Sequence, residues 1–281
     1  MILVTGATGK VGSEAVRLLS RRGLPVRALV RNREKAEALA TAGAEIAEGD
    51  FEVPDTVDAA LTGITSVILV SPAVPKQELY VVDSAVRSGV GHVVKITSKA
   101  SADSPIARRR GQAEIEAGLV ASGLSYTLLR ANAYMQNVLT LAPAIVRASG
   151  FGSSAGTGRV GMIDARDVAA VAAEIAAAPA LHNGKTYWLT GPELISYTDI
   201  AAALSELLGR PITYHERTFE QDKEAMIRAG VPAPTAEMNA QAFSLVAEGD
   251  AAWLSRDVPA LLHRPARPFE QFAADYATTF S

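Results

Sequence analysis

Short apolar runs and longer amphipathic stretches alternate regularly along the first half of this chain. "MILV" and "PVRALV" read as short buried strands, and "KVGSEAVRLLSRRG" between them puts Val11, Ala15, Leu18 and Leu19 on one helical face. The same unit recurs. "EKAEALATAG" reads as a helix before the strand "AEIAEGD", "TVDAALTG" before "SVILVSP", "QELYVVDSAVRSG" before "HVVKITS", and "RGQAEIEAGLVASG" before "SYTLLRA". Strands built as continuous apolar runs belong in a sheet covered on both faces. The pattern therefore predicts an α/β fold with a Rossmann-type doubly wound parallel sheet.

Beyond about Arg130 the rhythm changes. "NAYMQNVLTLAPAIVRASG" reads as helical, "FGSSAGTGRVG" as a Gly/Ser-rich loop, "ARDVAAVAAEIAAA" as a helix and "KTYWLTG" as a late strand that extends the sheet. In "SYTDIAAALSELLG", Ser196 and Thr198 are alternative caps for a helix with Ile200, Leu204 and Leu207 on one side. Pro232, Pro234, Pro259, Pro265 and Pro268 then break the remainder into helical pieces. The expected organisation is a dinucleotide-binding domain over residues 1–131, completed by about 163–191. Residues 132–162 and 192–281 form a smaller, mostly helical substrate lobe.

Composition narrows the chemistry. With 48% hydrophobic residues the 281-residue chain has ample material for a core. No apolar stretch is long enough for a membrane span, and "MILVTG" leaves no room for a signal peptide ahead of the first motif. The absence of cysteine removes disulfides, thiolate metal sites and thiol nucleophiles, and fits a cytoplasmic protein. A formal net charge of -3 argues against general nucleic-acid binding. The histidines at 92, 182, 215 and 263 lack zinc-site spacing, so no metal is expected.

The first candidate for chemistry is "VTGATGKVGSEAV". Gly6, Gly9 and Gly12 stand three apart between the first strand and the first helix. Glycine permits the tight turn and close backbone approach there, and the helix that follows offers free N–H groups to a phosphate. The spacing is G-x-x-G-x-x-G, neither a P-loop nor the commoner G-x-G-x-x-G. The second strand ends in "ALVRN", and Arg31 lies nineteen residues after Gly12, with Arg33 and Lys35 close behind. A carboxylate at that place bonds a ribose 2′-hydroxyl, whereas an arginine accommodates a 2′-phosphate. The expected cofactor is therefore NADP(H) in preference to NAD(H).

These landmarks, with "GDF", "VILVSP", "HVVKITS", "SGLSYTLLRANAYMQN", "DARDVA" and "KTYWLTGPELISYTDIA" following in order, resemble the NmrA-like, atypical short-chain dehydrogenase/reductase family over nearly the whole chain. That family includes NAD(P)H-dependent quinone and triphenylmethane reductases as well as cofactor-sensing regulators. The resemblance implies that Thr8, Gly9, Lys10 and Val11 line the pyrophosphate with Gly6 and Gly12, that Arg31 meets the 2′-phosphate, and that Asp50 and Phe51 meet the adenine. It also implies that Val70, Ser71 and Pro72 flank the adenine ribose, with Lys95 or Thr97 near the nicotinamide.

Ordinary short-chain dehydrogenases use Y-x-x-x-K, and no tyrosine here has a lysine four residues later. Isoflavone-reductase-like relatives carry a lysine on the helix before "SGLSYTLLR", and triphenylmethane-reductase-like relatives a histidine; here the place is held by Gln112, with Glu116 one turn on. Glutamine hydrogen-bonds a carbonyl or amide but has no pKa useful for proton transfer. Gln112 and Tyr134 are the candidate catalytic residues, and Asn132, Tyr134 and Asn137 the candidate substrate contacts, just beyond a strand's carboxyl end. Asp164 and Asp167, spaced by three before a helix, suit capping better than acid–base work. "GSSAG" matches a nucleophile elbow only as a string, and "RRR" at 108–110 reads as a solvated helix start.

The expected function is NADP(H)-dependent hydride transfer to a planar, electron-poor small molecule, quinone-like or polycyclic, in a cleft between domain and lobe. Such a substrate accepts hydride directly and needs little beyond oriented contact. The alternative is a non-catalytic NADP(H)-sensing regulator of the NmrA type, which the missing proton donor favours. The partner is a small-molecule substrate, and the sequence is compatible with a homo-oligomer.

Overall fold

A computed structural model describes all 281 residues. The chain divides into two compact units: Met1–Ala131 with Ala165–Leu189 and Pro259–His263, and Asn132–Asp164 with Thr190–Val258 and Arg264–Ser281.

The first unit is built on a seven-stranded sheet of β1 (Ile2–Val4), β2 (Val26–Val30), β3 (Glu45–Glu48), β4 (Ser66–Leu69), β5 (His92–Thr97), β6 (Tyr126–Ala131) and β9 (Lys185–Leu189). Their order is β3-β2-β1-β4-β5-β6-β9, with every pair parallel. The helices are α1 (Lys10–Arg21), α2 (Glu37–Thr41), α3 (Pro54–Leu61), α4 (Pro75–Arg87), α5 (Ala107–Ala121) and α7 (Ala165–Ala177). Side chains alternate across each strand, so Val67 and Leu69 join a buried cluster with Val57 and Leu61 of α3 and Val81, Val82 and Ala85 of α4. On the other face α7 packs on α1 and against β4 and β5. Each fully buried aliphatic side chain contributes about 1.5–3 kcal/mol of transfer free energy. The late strand "KTYWL" does extend the sheet, pairing Thr127–Ala131 with Lys185–Leu189 in register.

The second unit has a separate core. Phe151, Tyr197, Ile200, Leu204, Phe269, Phe272 and Phe280 are buried together, and Tyr197 stacks on Tyr214 with ring centroids 5.9 Å apart. Around them lie α6 (Ala142–Ala148), α8 (Tyr197–Leu208), α9 (Phe219–Arg228), α10 (Ala233–Ala247) and α12 (Phe269–Asp275). The short α11 (Asp257–Leu262) begins in this unit and ends in the first. Ser196, rather than Thr198, caps α8: its hydroxyl accepts from Asp199 N at 3.1 Å while Asp199 Oδ2 accepts from Ser196 N at 2.9 Å.

Two local expectations need correction. The stretch "FGSSAGTGRVG" is not a plain loop, because it holds all but the first residue of β7 (Gly150–Ser153) and the whole of β8 (Arg159–Val160). β7 pairs in parallel with β11 (Thr213–Glu216), and β8 pairs with β10 (Ile195–Ser196). The glycines serve close strand approach: a Cβ at Gly152 would lie 2.7 Å from His215 O. "NAYMQNVLTLAPAIVRASG" is not one helix either. Tyr134 bridges Ile163, a 3₁₀ segment runs Met135–Leu141, and only α6 is α-helical.

Candidate dinucleotide-binding site

The strand order reverses direction between β1 and β4, which opens a crevice at the carboxyl edge of the sheet. Thr5 fastens the two strand ends together: its Oγ1 donates to Val70 O at 2.8 Å and accepts from Val70 N at 2.8 Å. Gly6 follows with φ +54, and a Cβ there would lie 2.8 Å from Val70 O. Gly9 N closes the turn onto Gly6 O at 2.9 Å. A Cβ on Gly12 would lie only 2.3 Å from Gly6 O, so the first turn of α1 rests directly on the loop. No side chain caps α1 at Gly9 and no acidic residue lies in its first turn. A backbone cradle at a helix N-terminus, with no built-in anion, fits a diphosphate. Val11 is buried, so at that position only the backbone faces the cradle, whereas Thr8, Gly9 and Lys10 are exposed.

Beside the turn is a concavity of about 300 Å³ lined by Thr8, Arg31, Asn32 and Lys35. β2 delivers Arg31 at its carboxyl end. Asn32 then accepts from Glu34 N at 2.8 Å, starting a 3₁₀ turn over Arg33–Ala36 that brings Lys35 alongside. Two cations line the concavity and no carboxylate does, which fits a phosphate monoester. Arg33 is not among the lining residues. Asn32 was missed in the sequence, although an Asn just ahead of a helical turn is a recognisable signal.

The other crevice wall is the segment after β4. Asp50 and Phe51 lie near the end of β3, where Asp50 Oδ1 accepts from Glu52 N at 3.0 Å and Phe51 packs half-buried against the α3–α4 cluster. Val70 and Ser71 are half-buried and Pro72 exposed. Ser71 Oγ donates to the Glu78 carboxylate and accepts from Ala73 N at 3.1 Å, so this hydroxyl is already engaged.

Lys95 departs most from expectation. Far from facing a nicotinamide, it is 0% exposed, and its Nζ lies 2.6 Å from Oε2 of the equally buried Glu78. Its place in β5 turns it onto the α4 side of the sheet, the face shared with Val93. Burial pushes the Lys95 ammonium below its ordinary pKa, and the Glu78 charge pulls it back. Thr97 points the same way and donates to Glu116 Oε1 at 2.8 Å. Glu116 also takes both Arg130 Nε, at 3.3 Å, and Nη2, and the Arg130 guanidinium lies 5.0 Å from the Trp188 ring centroid. Only the fold brings these groups together.

Gln112 is 6% exposed and its Oε1 has no partner. It stands one helical turn before Glu116, toward the carboxyl edge of β5 and β6, and Ser98 Oγ just after β5 is likewise buried without a partner. Buried polar atoms left without partners suit a polar ligand group.

In the second unit Asn132 serves the structure, because its Nδ2 donates to Ala251 O at 3.0 Å and its Oδ1 accepts from Ala133 N at 2.8 Å. Tyr134 is half-buried and Asn137 exposed. Asp164 here, and Asp167 in the first unit, are fully buried, and Gln136 Nε2 donates to Asp164 Oδ1 at 2.8 Å. Ser154 is no nucleophile, since its hydroxyl donates to buried Asp222 at 3.1 Å.

The sequence pattern defining the NmrA-like family matches residues 1–261. The chain belongs to the NmrA-like family. Within it, the chain is 39% identical over 284 residues to the NAD(P)H azoreductase of Xenophilus azovorans, across 100% of this chain and 99% of that one. Its fold is similar to the NADPH-dependent quinone oxidoreductase of Escherichia coli complexed with NADPH, with TM-score 0.89 and 29% identity over 99% and 100% of the two chains. The Citrobacter sp. triphenylmethane reductase complexed with NADP(H) gives 0.88 and 28% over 99% and 100%. This kinship places the chain among the family's NAD(P)H-dependent oxidoreductases acting on small molecules. No helix is long and apolar enough to cross a membrane.

Proposed function

We propose that this chain is an NADP(H)-preferring reductase of planar, electron-poor molecules such as quinones, azo dyes and triarylmethane cations. The observation that carries the preference is the concavity lined by Thr8, Arg31, Asn32 and Lys35 beside the glycine cradle. A guanidinium and an ammonium there favour a 2′-phosphate over a hydroxyl. The bound cofactor supplies the hydride.

The chain's own residues bind and orient. The Gly6–Gly12 turn offers backbone N–H groups to the diphosphate, Arg31 and Lys35 balance the additional phosphate, and Thr5 keeps the β1 and β4 ends together. Gln112 is the candidate to accept a hydrogen bond from a carboxamide or to donate one to a carbonyl, without exchanging a proton. Tyr134 is the candidate to stack on a flat substrate. Gln112 in place of a lysine or histidine suits acceptors that take hydride directly and are protonated by water.

The deciding experiment follows NADPH and NADH oxidation with benzoquinones, an azo dye and a triarylmethane dye, alongside calorimetry of both cofactors. Turnover with at least one acceptor and a lower KM for NADPH are expected. Absence of binding heat with either cofactor overturns the reading. Binding without turnover across the acceptors would instead favour the cofactor-sensing role, to which the lack of a proton donor also points.

A further inference from the structure

The segment Val70–Ala73 follows β4 at the carboxyl edge of the sheet, beside the switch between β1 and β4, and what holds it lies beneath the surface. At one end Thr5 grips Val70. At the other, the Ser71 hydroxyl donates a hydrogen bond to Glu78 and accepts one from Ala73 N at 3.1 Å. Ala73 has φ +66, a left-handed conformation that is strained for a residue with a Cβ and persists only where its surroundings fix it. Its carbonyl is packed by α5, where a Cβ on Gly111 would lie 3.1 Å from Ala73 O. Glu78 in turn is fully buried on α4, with the Lys95 ammonium of β5 at 2.6 Å from its second oxygen.

We propose that the buried Lys95–Glu78 pair is a positioning device: it fixes the Val70–Ala73 wall through Ser71 and so sets how tightly the dinucleotide is held. The inference rests on the dinucleotide-binding reading above. Neither Lys95 nor Glu78 touches the ligand. Glu78 serves as a charged acceptor, which binds the Ser71 hydroxyl more strongly than a neutral one. That bond polarises the hydroxyl and strengthens its acceptance of Ala73 N–H, the contact holding the left-handed residue in place. Lys95 supplies the counter-charge at a depth where no water reaches. A pair buried this completely contributes little net stability compared with apolar side chains of similar size. Replacing both partners therefore removes the positioning and leaves the fold.

The test is calorimetric NADPH affinity with thermal unfolding, on the full chain. In Lys95→Met/Glu78→Leu the acceptor is gone and no lone charge remains. The dissociation constant is expected to rise about ten-fold, the equivalent of one charge-assisted hydrogen bond, with the melting temperature within a few degrees of wild type. Lys95→Met/Glu78→Gln restores a neutral acceptor at the same place and is expected to recover to within about three-fold of wild type. In steady state the loss falls on KM for NADPH, while kcat at saturation changes less than about two-fold. If the Leu-containing variant does not fold, Lys95→Met/Glu78→Gln, which also leaves no lone charge, decides alone, with an expected weakening of about three-fold. Wild-type affinity in the folded Leu-containing variant, or in its stand-in where that variant does not fold, overturns the inference. Absence of NADPH binding by the wild type overturns the underlying reading instead.

Discussion

The two ends of the sheet's carboxyl edge treat positive charge in opposite ways. At β2, Arg31 and Lys35 stand exposed around a concavity that contains no carboxylate. At β5 and β6, Lys95 and Arg130 are drawn inward and matched by Glu78 and Glu116. An exposed cation has lost little hydration and remains available to an incoming anion. A buried one must be paired at once, and its charge is then spent on geometry. The same residue type thus recognises a ligand at one end and builds the walls at the other.

The sharpest way to break this comparison is at the cradle both ends depend on. Gly12→Ala forces a Cβ to within 2.3 Å of Gly6 O, and calorimetry is expected to show NADPH affinity reduced by about 100-fold or more. Next comes Arg31→Glu, which places a carboxylate against the 2′-phosphate. The ratio of kcat/KM for NADPH over NADH is expected to fall by about 30–100-fold, with NADH itself little affected. Glu116→Gln probes the other end. It leaves Arg130, 24% exposed, without its counter-charge, and urea unfolding should show a loss of about 1–2 kcal/mol with the cofactor preference unchanged. A shifted preference would mean that the two ends are not separable.

The smallest effect concerns the far end of β5. The buried His92 ring contacts Ser125 Oγ at 2.7 Å and Thr127 Oγ1 at 2.9 Å, and burial, with a lesser contribution from His182, lowers its pKa to about 4. The unfolded chain takes up this proton near pH 6.5, whereas the folded one does so only near pH 4. Stability present above pH 6.5 is therefore lost as pH falls toward 4. Urea unfolding between about pH 7 and 4.5 should decline less steeply in His92→Gln, by about 1 kcal/mol over the range.

What the letters disclosed follows the same division. Apolar runs and glycine spacing are local, so the doubly wound sheet, the glycine turn and Arg31 were all legible. The family resemblance sets Lys95 or Thr97 near the nicotinamide, whereas strand alternation turns both toward α4 and α5. Their carboxylate partners lie 17 and 19 residues away, on helices whose rotation no spacing rule specifies. The β7–β11 pairing was hidden for a related reason. Its glycines look like looseness until the partner strand, some sixty residues on, shows what they make room for.

β6 is the sixth strand of the sheet in space, and its outer neighbour β9 enters the chain only at Lys185. Until that point emerges from the ribosome, a nearly completed Rossmann sheet carries a bare, largely apolar edge, the kind of template on which another chain can add. Synthesis must pass through more than fifty further residues before the edge is covered. Slow translation or truncation between Ala131 and Leu189 should therefore favour aggregation over a soluble half-protein.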